Sequence, residues 1–492
     1  MTETLSHPPS PDVQRRNMQV IYLLLAATFV VFLNETIMSV ALTPLMNDLK
    51  VDPNTVQWLS TAFMLTMAVV IPITGFLLQR LSTRQVFMTA MILFSLGTLL
   101  AIVAPGFSVL LIARIVQACG TAIMMPLLMT TILQLVPASS RGKTMGNISI
   151  VISVAPAIGP TIAGVILSLG SWRWMFGVVL PIALAMLAIG YRWVRNVNEP
   201  SKAPLDIASV ILSAFGFSGL VYGLSQLGHT GADASPGVLV VSLTVGVVAL
   251  VAFVLRQLKL QKRDDALLDL RTFRSSSFTA TVVMMLVAMM ALFGTIILLP
   301  IYLQKVLHVE NLWVGLMLLP GGLIMGLSAP IVGRLFDKYG PRPLLVPGTI
   351  LVTAVLWMLS TVNAGTSPYF ILVMHILLSL GLGFTFTPLF TAGLASLEPK
   401  YYSHGSAIVG TVQQVAGAAG TALFIAVMSS QAANLSISGS SEEVATAAGI
   451  RLAFMLGAIL FTANILIGFF IKKPADSVEA ELPAEGVEAP IH

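Results

Sequence analysis

Apolar runs of about twenty residues recur along the chain from Gln19 to Ile471, separated by short polar stretches. At a rise of 1.5 Å per residue, each is long enough as a helix to cross a hydrocarbon layer about 30 Å thick. The pattern predicts fourteen spans: 19-45, 57-79, 86-104, 107-135, 144-168, 173-194, 206-227, 236-256, 277-301, 311-333, 343-363, 367-396, 404-430 and 448-471. Membrane-crossing strands would instead read as stretches of about ten residues with alternating polarity, and these are absent. The expected fold is therefore all-α and integral to a membrane. The first apolar run follows Arg15 and Arg16, but it is too long for a secretory signal and lacks a small-residue cleavage site, so it reads as a retained span.

The polar stretches carry their own information. Of the 26 basic residues, 21 fall on one side if the spans alternate; four (Lys50, Arg173, Lys305 and Arg451) fall on the other, and Arg114 lies inside a span. Cytoplasmic loops are enriched in Lys and Arg, so this asymmetry predicts that both termini are cytoplasmic in a cell membrane. The same side carries a repeat. Pro72-Ile73-Thr74-Gly75-Phe76-Leu77, at the end of the second span, recurs as Pro330-Ile331-Val332-Gly333-Arg334-Leu335 at the end of the tenth, and each copy is followed by a short basic turn. The separation equals eight spans, which fits two six-helix halves with an extra pair between them, as in repeat-built transporters. Chance recurrence in apolar sequence is the alternative. The organisation predicted is a cytoplasmic tail (1-18), a first half (19-200), the extra pair with a basic loop (201-276), a second half (277-473) and an acidic, disordered tail (474-492). A mobile loop is expected from Gln431 to Glu443.

Composition narrows the function. Only 10% of the 492 residues are charged and 56% are hydrophobic, against about a quarter charged in a typical soluble domain. The net charge of +5 belongs to the loops and gives no reason to expect nucleic acid as a partner. A single cysteine, Cys119, excludes an internal disulfide and argues against cysteine-based metal or redox chemistry. Gly142-Lys143-Thr144 resembles the end of a phosphate-binding loop, but Pro137 stands where that loop needs Gly. There is no His-Glu-x-x-His and no spaced acid, base and nucleophile set, so an enzyme is not expected. With no cofactor or metal expected, an ion gradient is left as the energy source.

Two charged residues sit at membrane depth. Glu35, between Asn34 and Thr36 in the first span, is costly to keep ionised there and so is suited to binding and releasing a proton. A structural acid held by interhelical hydrogen bonds is the alternative. Arg114 lies in the fourth span at a comparable depth, and an Arg near Glu35 would favour the ionised carboxylate, opposing desolvation. It could equally pin a helix to backbone carbonyls. In the fifth span, Ala155, Pro156, Gly159, Pro160 and Gly164 predict a close helix contact and a bend. Asn34, Gln117, His375, Gln413 and Gln414 are polar within spans and are candidates for a substrate cavity or for interhelical hydrogen bonds. The Met and Phe content suits an adaptable apolar cavity.

At these residues the chain resembles the major facilitator superfamily, specifically its fourteen-helix drug:proton antiporter branch, over nearly its whole length. The family's loop after the second helix, Gly-x-Leu-Ala-Asp-Arg-x-Gly-Arg-Lys, appears as Gly75-Phe-Leu-Leu-Gln79-Arg80-Leu-Ser-Thr-Arg84, with Gln79 in place of the acid. The second copy, Gly333-Arg-Leu-Phe-Asp337-Lys338-Tyr-Gly340-Pro-Arg342, keeps its acid. Arg114-x-x-Gln117-Ala118-x-Gly120 is similar to the fourth-helix pattern, and Ala155-x-x-x-Gly159-Pro160-x-x-Ala163-Gly164 to the fifth-helix antiporter pattern. The first-helix acid is displaced: Leu33-Asn34-Glu35-Thr36 places Asn where the family has Asp and Glu one residue later, as in lincomycin-resistance-type members. One residue is a rotation of about 100° around a helix. The resemblance implies a monomeric, proton-coupled exporter of small amphipathic molecules, with Glu35 and Arg114 in proton coupling and the two basic loops in gating. An exporter of an endogenous lipid or metabolite, an importer, and a non-transporting membrane sensor are the rival readings.

Overall fold

The computed structural model describes residues 11–197, 206–226 and 236–471; the predicted tail 474-492 lies outside them. Among the described residues the chain is all-helical, with no strand. Fourteen long helices follow one another: α1 (Pro11–Leu49), α2 (Pro53–Arg80), α3 (Thr83–Ile102), α4 (Phe107–Leu135), α5 (Arg141–Leu169), α6 (Arg173–Trp193), α7 (Ile207–Gln226), α8 (Pro236–Leu260), α9 (Ser276–Lys305), α10 (Asn311–Tyr339), α11 (Arg342–Leu359), α12 (Pro368–Ala395), α13 (Tyr402–Ile437) and α14 (Glu442–Gly468). Thirteen are long and apolar enough to cross a membrane by themselves. The fourteenth, α5, does so as two arms bent by 43° between Pro156 and Thr161, where the paired prolines weaken the helical ladder.

Local chemistry sets several boundaries. Asp52 accepts a hydrogen bond from the Thr55 amide to start α2, and Ser82 and Gln85 form a reciprocal cap at the start of α3. The stretch from Gln431 to Glu443, expected as a mobile loop, is mostly helix. α13 runs on to Ile437, the chain turns through Gly439 at φ +86°, and Ser441 caps α14 by accepting from the Val444 amide. Ala432, Ala433 and Leu435 are good helix formers, and they outweigh the local serines.

The two six-helix halves pack alike. α1 lies on α4, α5 and α6, as α9 lies on α12, α13 and α14; α3 lies on α4 and α6, as α11 lies on α12 and α14. The halves meet along α5 with α10 and along α2 with α13. α7 packs on α2 and α13, outside this twelve-helix body, and α8 packs on α7. That last contact is backbone-close, since a Cβ added to Gly219 would stand 2.8 Å from the Gly246 Cα. The remaining surface of α8 is an apolar face carrying exposed Val240, Val241, Val247, Val248 and Val251, the surface a helix presents to lipid.

Ion pairs pin the ends of these helices. Trp172 Nε1 and Arg173 Nη1 donate to Asp48 Oδ2 at 2.8 and 3.1 Å, and these bonds hold the Asp48 carboxyl below the usual range. Near the basic end, Arg256 donates to both Asp206 oxygens at 2.6 and 2.7 Å, and this pair, helped by Ser209, pushes the Asp206 carboxyl down to about 2.

Candidate functional site: a buried charge pair and a closed gate

The α4 sequence places Arg114 and Gln117 on one helix face, three residues apart. Arg114 is fully buried. Its Nη1 donates to Gln117 Oε1 at 3.0 Å, and Gln117 Nε2 donates to Thr98 Oγ1 of α3 at 2.9 Å. The Phe63 ring of α2 lies 4.1 Å from the guanidinium carbon, a cation–π contact that replaces part of the lost hydration. Arg114 Nε has no hydrogen-bond partner. Gln117 therefore orients the arginine and is itself fully buried.

Glu35, half-buried on α1, is close enough to Arg114 for the two charges to interact, yet the pair makes no ion pair within 4.0 Å among the described residues. The two charges thus lie within electrostatic reach of one another, and the carboxylate is left unclamped. Asn34, beside it, is buried, and its Nδ2 has no partner. Thr36, on the other side, donates from Oγ1 to the Ala155 carbonyl of α5 at 3.2 Å, as well as to Leu33 of its own helix at 3.0 Å. A Cβ added to Gly159 would stand 2.2 Å from that same Oγ1. Ala155 and Gly159 therefore form the close contact that the fifth-helix pattern predicted, and it is made against the residue next to Glu35. Gly164 plays no part in it, since a Cβ there would meet nothing within 4 Å: it lies beyond the bend and faces open space. The Pro160 side chain lies outside the described residues.

The remaining polar candidates lie elsewhere. His375 of α12 is packed against Gly321 of α10, with its Nδ1 unpartnered, in the second half. Gln413 Nε2 on α13 is buried and unpartnered, whereas Gln414 Nε2 reaches Met67 Sδ of α2 at 3.9 Å, across the junction of the halves.

The opposite face of α5 meets α10 at the basic end. Asp337 accepts from the Gly142 amide at 2.7 Å and the Lys143 amide at 2.9 Å, placing a carboxylate at the N-terminus of α5, where the helix dipole favours it. Gly333 lets the α10 backbone approach that of Gly142: a Cβ at Gly333 would lie 2.2 Å from the Gly142 carbonyl oxygen. The contact continues through Gly146 against Ala329 and Val154 against Gly326, whereas nearer the other end Gly164 and Gly315 face open space. α5 and α10 are therefore in backbone-close contact at the basic end.

The related contact between α2 and α13 is built differently. Gln79 Nε2 lies 2.8 Å from His404 Nε2 and 3.3 Å from the Lys400 carbonyl oxygen, and Gly75 admits His404 and Ala407 alongside α2. Other loop residues make contacts within their own half. Arg80 lies 5.9 Å from the Phe76 ring centre and Arg84 4.5 Å from that of Tyr191 at the end of α6; Arg342 Nε donates to the Ile471 carbonyl at 3.1 Å, after α14. Lys338 lies 5.0 Å from the Tyr339 ring centre, and Gly340, at φ +78°, supplies the left-handed turn that ends α10. Sequence reasoning did not foresee Phe63, Thr98 or His404 as partners; only the 258-residue register of the two loops, which equates Gln79 with Asp337, pointed towards the last.

Replacing Asp337 by Ala removes two charge-assisted bonds to a helix terminus, worth roughly 1–3 kcal/mol together. The expected result is an approximately tenfold or larger shift towards a state open at the basic end, read as a longer spin-label distance between the ends of α5 and α10. An unchanged distance distribution would show that this carboxylate does not hold the contact.

Comparison with known proteins agrees with this architecture. The chain matches the sequence profile of the Major Facilitator Superfamily over residues 24–421. It is 40% identical to an uncharacterized MFS-type transporter, YcnB, of Bacillus subtilis, covering 94% of this chain and 96% of that one. It is also 40% identical to the lincomycin resistance protein LmrB of the same organism, covering 94% and 97%. Among solved structures, the human organic anion transporter MFSD10 superposes with a TM-score of 0.65 at 14% identity, over 94% of this chain and all of that one. The chain belongs to the Major Facilitator Superfamily of membrane transporters.

Proposed function

We propose that this transporter exports small amphipathic molecules in exchange for protons, by alternating access between its two halves. The observation that carries the reading is Glu35, an unclamped acid half-buried beside the Arg114 charge and one residue from the α1–α5 contact. When Glu35 is ionised it is held towards Arg114; when protonated it is released from that attraction. Either change acts on α1 where Thr36 touches α5, and α5 carries the change to its closed contact with α10. The cycle takes up a proton at Glu35 from the side away from the basic loops, and releases it as substrate enters from the other. The proton gradient is the energy source and no cofactor takes part.

The basic end is assigned to the cytoplasm, with both termini there, because of the distribution of Lys and Arg in the loops. The protein acts as a monomer, since the path lies between two halves of one chain. Similarity to a lincomycin resistance protein supports a drug as substrate.

The test is reconstitution in liposomes under an imposed pH difference, following internal pH while lincomycin and a panel of cationic and neutral drugs are added. Drug-dependent proton movement is the expected result. Folded protein that moves no protons with any of them would reject the drug-exchange reading and favour a lipid or metabolite cargo.

A further inference from the structure

The α2–α13 gate lacks the carboxylate that closes α5 onto α10. Gln79 meets His404 and the Lys400 carbonyl with a neutral amide, whereas Asp337 meets two helix N-terminal amides with a charge. An acid is nonetheless present at α13, and it comes from elsewhere. A polar cavity of about 490 Å³ at the start of α13 is lined by Gln79, Lys400 and His404 on one side and by Asp264, Asp269 and Arg271 on the other. The last three belong to the connection between α8 and α9. Asp269 is almost fully buried, and its charge acts on His404 in the first turn of α13.

This connection is built to hold its place. Gln257, fully buried on α8, accepts from the Leu267 and Leu268 amides at 2.8 and 3.3 Å and donates to Ser209 Oγ of α7 at 2.7 Å. Arg271 donates to both Asp269 oxygens and pairs with Asp264. Its guanidinium carbon lies 5.6 Å from the Tyr401 ring centre, just before α13. Ser275 Oγ lies 2.8 Å from Ser396 Oγ, at the end of α12. The extra helix pair thus delivers an anchored, charged loop to the gate whose own loop has lost its acid.

We propose that the α8–α9 connection, through Asp269 oriented by Arg271, is a working part of the gate at α13 and supplies the carboxylate that position 79 lacks. The proposal rests on the alternating-access reading. It also gives the extra helix pair a role: α7 and α8 hold the loop in register with α13 through Gln257, so movement of α13 must break the contacts of Tyr401 and His404 with this loop.

Cysteine accessibility in purified protein tests it. Ser406 is fully buried at the gate and accepts from Thr130 Oγ1 of α4 at 3.1 Å, so a Ser406→Cys reporter in a Cys119→Ser background reports opening of the basic end. Asp269→Asn is expected to raise the rate of maleimide labelling about tenfold, the effect of weakening the charge-assisted bonds that hold Arg271 against Tyr401. Glu442→Gln, on an exposed carboxylate at the start of α14 and outside this cavity, is expected to leave the rate near that of the parent. Adding Gln79→Asp to Asp269→Asn is expected to restore protection, which a merely structural loss would not. If Asp269→Asn does not fold, Arg271→Gln carries the same comparison, with Gln79→Asp again as rescue. Labelling at the parent rate, or no rescue by Gln79→Asp, would overturn the proposal. Drug-driven proton flux is measured separately in the parent protein; its absence would count against the exchange mechanism and leave the accessibility comparison standing.

Discussion

Glu35→Gln is expected to leave a folded transporter that no longer concentrates substrate when driven by an imposed proton gradient. Glutamine keeps the size and the hydrogen-bonding ends of a protonated glutamic acid but cannot release a proton, so the conformational cycle loses its link to pH. The size of the effect follows from the coupling. One pH unit corresponds to about 1.4 kcal/mol per proton, enough to sustain up to roughly a tenfold gradient of a neutral substrate for each proton exchanged. In the variant that ratio should fall to one, while exchange of labelled for unlabelled substrate, which needs no net proton movement, continues. The measurement is substrate accumulation in proteoliposomes with the pH difference applied in both directions. Gradient-driven accumulation at the parental level would remove Glu35 from the mechanism, and Arg114 would then be a structural cation held by Gln117 and Phe63.

Gly159→Ala should be nearly as damaging, although it adds one methyl group. The new Cβ would lie 2.2 Å from Thr36 Oγ1 and 2.9 Å from Thr36 Cβ, so α1 and α5 must separate or Thr36 must give up its bond to the Ala155 carbonyl. Overpacking of this kind costs about 1–3 kcal/mol. It falls on the contact through which protonation of Glu35 would reach α5, so transport should drop by an order of magnitude or more while thermal stability falls only modestly. Combining it with Thr36→Ala removes the hydroxyl responsible for the worst overlap and should recover part of the activity. Equal transport by Gly159→Ala and the parent would show that the close approach is packing without a role in the cycle. Failure of the double variant to recover would place the damage elsewhere on α5.

The membrane spans were legible because hydrophobic length is a local property. Twenty apolar residues must find an apolar solvent whatever else the chain does, and the basic loops then order the spans. Helix ends were less legible. The serines between Gln431 and Glu443 suggested a loop, yet α13 and α14 continue to Ile437 and from Glu442, so only a four-residue turn remains. Local polarity there was outweighed by alanine and leucine propensity and by the cap at Ser441.

Among the candidate residues, the sequence marked two that are improbable in a membrane, an acid and an arginine, and small residues at the regular spacing of a close helix contact, beside prolines. The cost of a charge in hydrocarbon singled out Glu35 and Arg114 without a structure, and the four-residue spacing of small residues singled out Ala155 and Gly159. What these residues meet is a matter of helix rotation and packing, which no local pattern contains. Only the folded chain set Gln117 against Thr98 of α3, set Thr36 against Gly159, and left Gly164 facing open space. Only the folded chain brought the α8–α9 loop to the cavity that Gln79 lines at the start of α13. Contacts between residues more than a hundred positions apart depend on how whole helices seat against one another, and that is decided by the sum of the packing over both halves.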